Sequence, residues 1–377
     1  MHNRTIKTAW LFQKYDGYSF FAKGVMEKLH TRNFPMTCVY LEKRSNAPNP
    51  LEKFGCHVLY LETKGATSKF NPFLLWKLAR FLKDNRIDIL HCHRHKATFY
   101  GALAAKMAKT PVVFSHVHGL KRSRTLMRRL LNRLLFRMVN KVITVSESVR
   151  RDVLLSNAPL APSQVVAIKN PVDVDKFSNI LITKKQAREM LNLPEAAFVY
   201  GTVGRLVPTK GQSFLIDAFA KVLEAVPTAR LVFVGSGRLE ADLKKQATDL
   251  GCLDAVTFAG QRNDVPEILR AFDSFVLPSL AEGFPGSLLE AMAASLPCIA
   301  SAVGGIPEII CDEKMGYLVP SRDSNALFQA MMACYSASER DRRQMGQTGY
   351  EMVLQSNSFD VYYSILEKLY EEALCHE

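Results

Sequence analysis

A strand–loop–helix unit can be read directly from residues 198–226, FVYGTVGRLVPTKGQSFLIDAFAKVLEAV. The apolar run Phe198–Val203 predicts a buried strand, and the pattern of Gln212–Val226 predicts a helix. Parallel strands that are covered on both faces read as continuous apolar runs, and the crossover to the next parallel strand needs a helix. The segment therefore predicts one unit of a parallel α/β sheet, with the loop Gly204–Gly211 at the carboxyl end of its strand.

The same alternation of strand and helix recurs along the 377 residues. It predicts an α/β protein of two Rossmann-like, doubly wound parallel-sheet domains, residues 1–170 and residues 171–357, followed by a final helix within residues 358–377. The start of the proline-rich interval Asn170–Pro194 is interpreted as the linker. The other strand and helix candidates are Thr8–Phe12, Thr37–Leu41, Val58–Leu61, Asn71–Asn85 (helix), Ile87–His91, Ala97–Ala108 (helix), Val112–Ser115, Val142–Val145, Arg230–Gly235, Val256–Ala259, Ser274–Leu277, Cys298–Ser301 and Tyr317–Val319.

The charge of the chain is unevenly distributed. There are 49 Lys and Arg against 36 Asp and Glu, which gives a net charge of +13. Residues 1–170 have a net charge of +21, and residues 171–377 have a net charge of −8. A positive surface of that size attracts phosphates on a small ligand, a lipid or a nucleic acid. The content of 48% hydrophobic and 23% charged residues is that of a globular protein and excludes disordered and fibrous classes.

The cysteines and the first residues indicate the compartment. The eight cysteines are scattered without a C-x-x-C pair, which favours free thiols in a reducing environment. Met1–Thr5 is polar and lacks the apolar core of a signal peptide. No uninterrupted apolar run reaches the ~18 residues typical of a membrane-spanning helix. We expect a cytoplasmic protein that is either free or held on a membrane surface.

The first motif whose residues suit ligand binding is the loop Gly204–Gly211. Arg205 offers a planar fork of donors and Lys210 a compact charge, and together they suit a diphosphate. The loop has neither the spacing of a Walker motif nor that of a dinucleotide fingerprint. From this motif alone, a surface loop that happens to hold two cations is an equally good interpretation.

The second motif is Glu282–Glu290, EGFPGSLLE, which follows the strand candidate Ser274–Leu277. A helix that begins after a Gly/Pro-rich turn presents free N–H groups to an anion. We expect the N–H groups of Gly286, Ser287 and Leu288 to hold a phosphate. Glu290 is one turn inside the helix, within reach of a hydroxyl pair such as a ribose, and Glu282 faces the rest of the ligand. Carboxylates near helix starts are also common for dipole reasons alone.

Taken together and in order, the motifs closely resemble those of the retaining glycosyltransferase family 4, which has the GT-B fold of two Rossmann-like domains facing across a cleft. The similarity extends over most of the chain and is strongest over residues 200–310. The chain also resembles bacterial lipopolysaccharide-core and capsule transferases. The further matching motifs are His118-Gly119, Val145-Ser146, Asn170-Pro171-Val172-Asp173, Gly235-Ser236-Gly237 and Gly304-Gly305-Ile306-Pro307-Glu308.

The resemblance implies roles for the residues of the two motifs and for Gly17 and His118. Gly204, Arg205 and Lys210 would bind the diphosphate of a nucleotide-sugar donor, with a UDP-sugar favoured, and Gly17 would belong to an N-terminal glycine loop near the phosphates. Glu290 would hold the ribose hydroxyls, and Glu282 the hydroxyls of the transferred sugar. His118 would lie near that sugar. The catalytic set would be Glu282, His118, Arg205 and Lys210, and the final helix would cross back to the first domain.

The resemblance also implies that no cofactor and no metal are needed. Two patterns favour a metal at first sight. Asp173-Val174-Asp175 has the D-x-D form of metal-dependent glycosyltransferases, but the preferred interpretation is a turn cap and a solvated acid. His91, His93 and His95 alternate along a strand end and are candidates for metal ligands, for acceptor-site groups or for structural histidines.

A basic segment spans Lys121–Lys141 and contains no acid. Its periodicity predicts a helix whose apolar side, which starts at Leu126, packs on the core. The opposite side would display Phe136 and the arginines, and would suit an anionic membrane surface. The alternative is a solvated arginine face, and no recognised motif for nucleic acid accompanies the charge. The arginines are Arg128, Arg129, Arg133 and Arg137.

These observations predict a hexosyl- or N-acetylhexosaminyl-transferase. It would move a sugar to a hydroxyl of a glycolipid or polysaccharide precursor, such as lipopolysaccharide core or capsule, at the inner face of the cytoplasmic membrane. Two alternatives remain open. One is a GT-B phosphorylase or nucleotide-sugar epimerase, and the other is a basic binding protein without turnover on the same fold.

Overall fold

The structure is a computed structural model that describes residues 5–14, 35–42, 49–53, 56–61, 70–120, 125–157 and 160–375. The chain divides into two compact units. Unit 1 comprises Met1–Asn170 together with Phe359–Glu377, and unit 2 comprises Pro171–Ser358. No helix among the described residues is long and apolar enough to span a membrane.

Unit 1 is built on a parallel sheet of seven strands in the order β3-β2-β1-β4-β5-β6-β7. Its strands are β1 Thr8–Phe12, β2 Met36–Tyr40, β3 His57–Tyr60, β4 Ile89–His93, β5 Val112–Val117, β6 Lys141–Thr144 and β7 Val165–Ala167. Its helices within the described residues are α1 Pro50–Lys53, α2 Pro72–Asp84, α3 Arg94–Ala108, α4 Leu126–Leu135, α5 Glu147–Ser156 and, at the end of the chain, α14 Phe359–Cys375.

Unit 2 is built on a parallel sheet of six strands in the order β10-β9-β8-β11-β12-β13. Its strands are β8 Val199–Val203, β9 Arg230–Val234, β10 Val256–Phe258, β11 Ser274–Leu277, β12 Cys298–Ser301 and β13 Gly316–Val319. Its helices are α6 Val174–Ser178, α7 Lys184–Glu189, α8 Gln212–Ala225, α9 Glu240–Asp249, α10 Val265–Leu269, α11 Gly286–Ala293, α12 Ser324–Ser336 and α13 Glu339–Asn357. The α/β architecture of two doubly wound parallel sheets is confirmed.

Aromatic side chains dominate the core of unit 1. Trp10 and Phe114 from the sheet are fully buried against Tyr362 and Tyr370 of α14. The indole N–H of Trp10 donates to the Tyr370 hydroxyl at 3.0 Å. A buried tyrosine or tryptophan needs a partner for its polar atom, and this contact supplies one for both. The last helix is therefore an integral layer of this unit.

Most predicted strands differ from the observed ones by only one or two residues, and the differences have local causes. The β4 strand begins at Ile89 because the N–H of Ile87 still bonds Leu82 O at the end of α2. The strand extends through His93, two residues beyond the predicted end, because His93 still pairs with His116 of β5. The sequence missed β7, which has only three residues.

The D-x-D pattern lies at the start of α6. The Asp173 carboxylate accepts from Lys176 N at 3.2 Å and caps the helix, whereas Asp175 is exposed. The helix buries Phe177 and packs against α11. This stretch of the expected linker is thus folded onto unit 2, and the Asp173 cap is confirmed.

Candidate active site

The direction of sheet winding reverses between β8 and β11, which are neighbours in the sheet of unit 2. In doubly wound folds, ligands bind outside the carboxyl ends of the strands at such a switch point. The loops that follow these two strands are tied to each other, since Leu280 N donates to Thr209 O at 2.8 Å. The two predicted motifs therefore converge at one place, although they are far apart in sequence.

Two glycines allow the loop after β8 to pack this closely. Gly211 has φ +64°, and a Cβ atom there would lie 2.1 Å from Pro278 O. A Cβ atom at Gly235 would lie 2.1 Å from Gly204 O. Because both contacts are with backbone, a side chain at either position would displace the loop. Gln212 also holds it, by donating from Nε2 to Arg205 O at 2.9 Å.

Lys210 and Glu282 form an ion pair at this switch point. Lys210 Nζ lies 2.6 Å from Glu282 Oε1, and the Ser279 hydroxyl donates to the same oxygen at 2.7 Å. The side chains of the pair are 19% and 12% exposed, so bulk water screens it only in part. The sequence predicted both residues but neither their direct contact nor the role of Ser279. Arg205, on the same loop, is exposed.

The start of α11 supplies the third part of the site. Pro285 precedes the helix, and no side chain caps its first turn. The N–H groups of Gly286, Ser287 and Leu288 therefore lack the partner that a capping Ser or Asp would provide. With the helix dipole, they form a place where an anion is stabilised.

Glu290 lies farther along α11. Burial raises its pKa to about 6, and the charge of Lys176 partly opposes this shift. Lys176 belongs to α6, which packs against α11. A carboxyl group with this pKa is mostly ionised at pH 7 and mostly protonated at pH 5. Sequence reasoning did not identify Lys176 as a neighbour of Glu290.

The histidines of unit 1 form a stack at the carboxyl ends of β4 and β5. The rings of His91 and His93 are 4.6 Å apart, and those of His116 and His118 are 4.2 Å apart. His91 Nδ1 lies 2.8 Å from the Tyr370 hydroxyl, and His91 Nε2 lies 3.2 Å from His116 Nδ1. His93 Nδ1 lies 3.1 Å from His118 Nε2.

Burial and neighbouring histidines lower the pKa of these groups. The pKa of His91 falls to about 3, and the pKa values of His93 and His116 are also well below the usual range. The ring nitrogens of His91, His93 and His116 lie within 4.8 Å of one another, as metal ligands would. Both ring nitrogens of His91 already have hydrogen-bond partners, however, which favours the structural interpretation for this residue. His95 is half-buried and lies outside this group.

The basic helix α4 is oriented differently from the prediction. Leu126, Met127, Leu130 and Leu134 are 72%, 76%, 49% and 61% exposed, although their periodicity predicted a buried side. Asn132 is buried, and its amide donates to Asn157 Oδ1 at 3.1 Å. Phe136 was expected among the arginines and is buried as well. The expectation of a core-facing apolar side was therefore wrong for Leu126, Met127, Leu130 and Leu134, and it is confirmed at the end of the segment, where Leu135 and Val139 are buried.

The four arginines of this segment, Arg128, Arg129, Arg133 and Arg137, are exposed, as expected. The exposed surface of α4 thus combines apolar and basic side chains. Gly17, the remaining predicted site residue, lies outside the described residues.

Two family models match the chain. The model described as Glycosyltransferase Family 4 matches residues 17–176, and the model described as Glycosyl transferases group 1 matches residues 183–352. Both descriptions agree with the resemblance of the motifs.

Individual proteins agree with the family models. The Escherichia coli UDP-Gal:alpha-D-GlcNAc-diphosphoundecaprenol alpha-1,3-galactosyltransferase is 32% identical over 267 residues, which cover 68% of this chain and 69% of that protein. The Mycobacterium leprae phosphatidyl-myo-inositol mannosyltransferase is 30% identical over 71% of this chain and 69% of its own length. The Anabaena protein HepE, solved with UDP, superimposes with a TM-score of 0.83 at 22% identity, over 97% of this chain and 99% of its own. The chain therefore belongs to glycosyltransferase family 4, and its two doubly wound sheets are those of the GT-B fold.

Proposed function

We propose that this protein is a retaining glycosyltransferase that moves a hexosyl or N-acetylhexosaminyl group from a UDP-sugar to a hydroxyl of a glycolipid, in the assembly of lipopolysaccharide core or capsule. The observation that carries the proposal is the Lys210–Glu282 pair beside the uncapped start of α11. The E. coli relative is named for a UDP-Gal donor and a diphosphoundecaprenol-linked acceptor, and HepE was solved with UDP. Both names support this choice of donor and acceptor.

The donor diphosphate binds Arg205, Lys210 and the backbone N–H groups of α11. These groups meet the negative charge that develops on the leaving diphosphate, and fixed donors of this kind lower the barrier. Glu290 accepts from the ribose hydroxyls, and Glu282 accepts from the hydroxyls of the transferred sugar. Lys210 and Ser279 hold the Glu282 carboxylate in place for this task.

Retention follows from attack of the acceptor hydroxyl on the face that the diphosphate leaves. The bond from the anomeric carbon to the diphosphate oxygen breaks, the bond to the acceptor oxygen forms, and the leaving phosphate takes the hydroxyl proton. His118 positions the transferred sugar, and no enzyme nucleophile is needed. Protein cations and N–H groups supply the positive charge, so the reaction needs neither metal nor cofactor.

The decisive test measures transfer from UDP-galactose, UDP-glucose and UDP-N-acetylglucosamine to lipid-linked acceptors, with the anomer of the product assigned by NMR. A retained anomer in the presence of EDTA supports the proposal. An inverted anomer refutes retention, and activity that EDTA abolishes and Mg²⁺ restores refutes metal independence. Release of sugar phosphate or an epimer without acceptor indicates the phosphorylase or epimerase alternative. UDP-sugar binding without any turnover indicates a binding protein.

The exposed surface of α4 supports a location on the inner face of the cytoplasmic membrane. Arginines pair with anionic headgroups, and exposed leucines beside them enter the interface between headgroups and acyl chains. Replacement of Arg128, Arg129, Arg133 and Arg137 by Gln is expected to weaken binding to vesicles that contain phosphatidylglycerol. Binding of UDP should stay unchanged in the same variant. If the variant binds vesicles as tightly as the wild type, these four arginines belong to a solvated surface and do not bind the membrane.

A further inference from the structure

The loops after β8 and β11 are held against each other by two backbone contacts. Leu280 N donates to Thr209 O at 2.8 Å. The carbonyl oxygen of Pro278 lies against Gly211, at 2.1 Å from the position that a Cβ atom would take there. Ser279 is the residue between Pro278 and Leu280, so its backbone is fixed on both sides.

The side chain of Ser279 is fixed as well. The residue is 0% exposed, and its hydroxyl donates to Glu282 Oε1 at 2.7 Å. Only one rotatable bond separates the hydroxyl oxygen of a serine from its backbone, and burial leaves that bond one setting. Ser279 therefore holds Glu282 by a contact that has little freedom to move.

Lys210 makes a different kind of contact with the same oxygen. Its Nζ lies 2.6 Å from Glu282 Oε1, but it stands at the end of a flexible four-carbon stem, and its side chain is 19% exposed. An ammonium group has three N–H donors and can turn to another anion. A diphosphate bound beside Lys210 would draw this cation toward itself, because it carries more negative charge than a carboxylate.

The two contacts share one oxygen of Glu282 and leave the other open. Among the described residues, Glu282 Oε2 has no hydrogen-bond partner, and the side chain is 12% exposed. A carboxylate oxygen accepts hydrogen bonds at two lone pairs. Oε2 is thus available to a hydroxyl of a ligand, in a position that the contacts of Oε1 determine.

A bound diphosphate would change the balance of forces on Glu282. It would weaken the hold of Lys210 and bring negative charge next to the carboxylate, which it repels. The Ser279 hydroxyl carries no charge and is out of reach of bulk water, so its contact with Oε1 persists. A hydrogen bond to an ionised carboxylate is stronger than one between neutral groups.

We propose that Ser279 is a positioning residue for the sugar part of the donor. It keeps Glu282 in place when Lys210 turns to the diphosphate, so that Oε2 accepts from a hydroxyl of the transferred sugar. As a contact to that sugar, this role rests on the proposed function. Recognition of the sugar then depends on Ser279, whereas recognition of the nucleotide does not.

Affinities for UDP and for a UDP-sugar, measured by calorimetry on the full chain, test the proposal. UDP-galactose, UDP-glucose and UDP-N-acetylglucosamine are the probes, and the one that the wild type binds most tightly is used with the variants. Ser279→Ala should weaken binding of this UDP-sugar about tenfold and change the affinity for UDP by less than about twofold. The retained affinity for UDP shows at the same time that the variant is folded.

Ser274→Ala is the matched control. Ser274 begins β11, at the end of the strand away from Ser279, is also 0% exposed, and donates its hydroxyl to Pro297 O at 3.2 Å. Its loss should lower the free energy of unfolding without changing the ratio of the two affinities. Ser279→Cys nearly keeps the volume of serine but offers only a weak donor, so it should share the effect of Ser279→Ala.

A double-mutant cycle shows whether Ser279 acts through Glu282. In the Glu282→Ala background, Ser279→Ala should have no further effect on the affinity for the UDP-sugar, because the carboxylate that it holds is gone. An undiminished effect in that background would overturn the proposal. Equal losses of affinity for UDP and for the UDP-sugar, or an unchanged affinity for the UDP-sugar, would overturn it as well.

Kinetics distinguish failure of this proposal from failure of the proposed function. If sugar is transferred, Ser279→Ala should raise the KM for the UDP-sugar and leave the KM for the acceptor unchanged. Transfer with an unchanged donor KM would overturn the role of Ser279 and leave the proposed function intact. Discrimination between UDP and the UDP-sugar that depends on Ser279, without any transfer, would support this role and refute the proposed function. If none of the three UDP-sugars binds, both are overturned.

Discussion

The two switch points of this protein use the same topology for different purposes. In unit 2, the loops after β8 and β11 bring together the charged pair Lys210–Glu282, which remains partly accessible to solvent. In unit 1, the described residues at the corresponding strands β1 and β4 are aromatic: the rings of Phe12 and His93 are stacked 4.5 Å apart, and those of Trp10 and His91 lie 4.9 Å apart. The parallel sheet provides the position, and the side chains determine whether it becomes a polar site or a packed core.

The largest expected effect concerns the polar switch point. Lys210→Ala removes the cation that we propose stabilises the leaving diphosphate, and losses of this kind lower kcat by about 10²–10³-fold. Steady-state transfer assays measure the effect. Lys244→Ala is the control, because Lys244 also pairs with a glutamate in unit 2 but on an exposed helix face. A kcat of the Lys210→Ala variant within twofold of wild type would show that Lys210 has no catalytic role.

A second prediction concerns the close approach of the two loops. Gly211→Ala and Gly260→Ala both place alanine at a φ near +65°, but only Gly211 faces a backbone atom at 2.1 Å. We expect Gly260→Ala to cost about 1 kcal/mol of unfolding free energy and Gly211→Ala about 2–3 kcal/mol, with weaker UDP binding in the latter. Urea denaturation and UDP titration measure both effects. Equal costs would show that the contact with Pro278 is easily relieved.

A substitution in the aromatic and histidine stack of unit 1 should change the free energy of unfolding rather than the affinity for UDP. Tyr370→Phe removes the acceptor of the Trp10 N–H and the partner of His91 Nδ1, both of which are buried. We expect a loss of about 1–3 kcal/mol in unfolding free energy with unchanged UDP affinity. Tyr335→Phe changes a partly exposed ring of unit 2 and serves as the control. A loss of UDP affinity without a loss of stability would contradict the structural role of the stack.

The smallest expected effect is a pH dependence of donor binding. Because the pKa of Glu290 is raised to about 6, lowering the pH from 7 to 5 protonates most of this carboxyl group and removes its charge from the ribose contact that we propose. The KM for the UDP-sugar should therefore rise several-fold over this range. The Glu290→Gln variant should show a flatter profile. The same slope in both enzymes would assign the pH dependence to another group.

Much of the architecture could be predicted because its signals are local. The β1, β11 and β12 strands match their predicted bounds, since each is an apolar run ended by polar or turn residues. Gly204–Gly211 was identified as a loop after a strand, and Glu282–Glu290 as a loop and helix start after a strand, for the same reason. The shift of β4 and the short β7 were missed, because hydrogen bonds to distant segments decide them.

The orientation of α4 shows the limit of periodicity most clearly. The spacing of its leucines defines an apolar side, but periodicity does not state which neighbour will cover it. A buried hydrogen bond between Asn132 and Asn157 turns the helix so that Leu126, Met127 and Leu130 face outward.

The sequence alone determined the α/β class, the positions of the two loops that we propose to bind the donor, and the types of residue that they carry. Only the tertiary structure decided that Lys210 meets Glu282, 72 residues away, and that His91 meets Tyr370, 279 residues away. Strand propensity and turn chemistry act between neighbours in the chain, and a single sequence displays them. Contacts between distant residues depend on the order of strands in the sheet and on which helix face is covered, and the packing of the whole unit determines both.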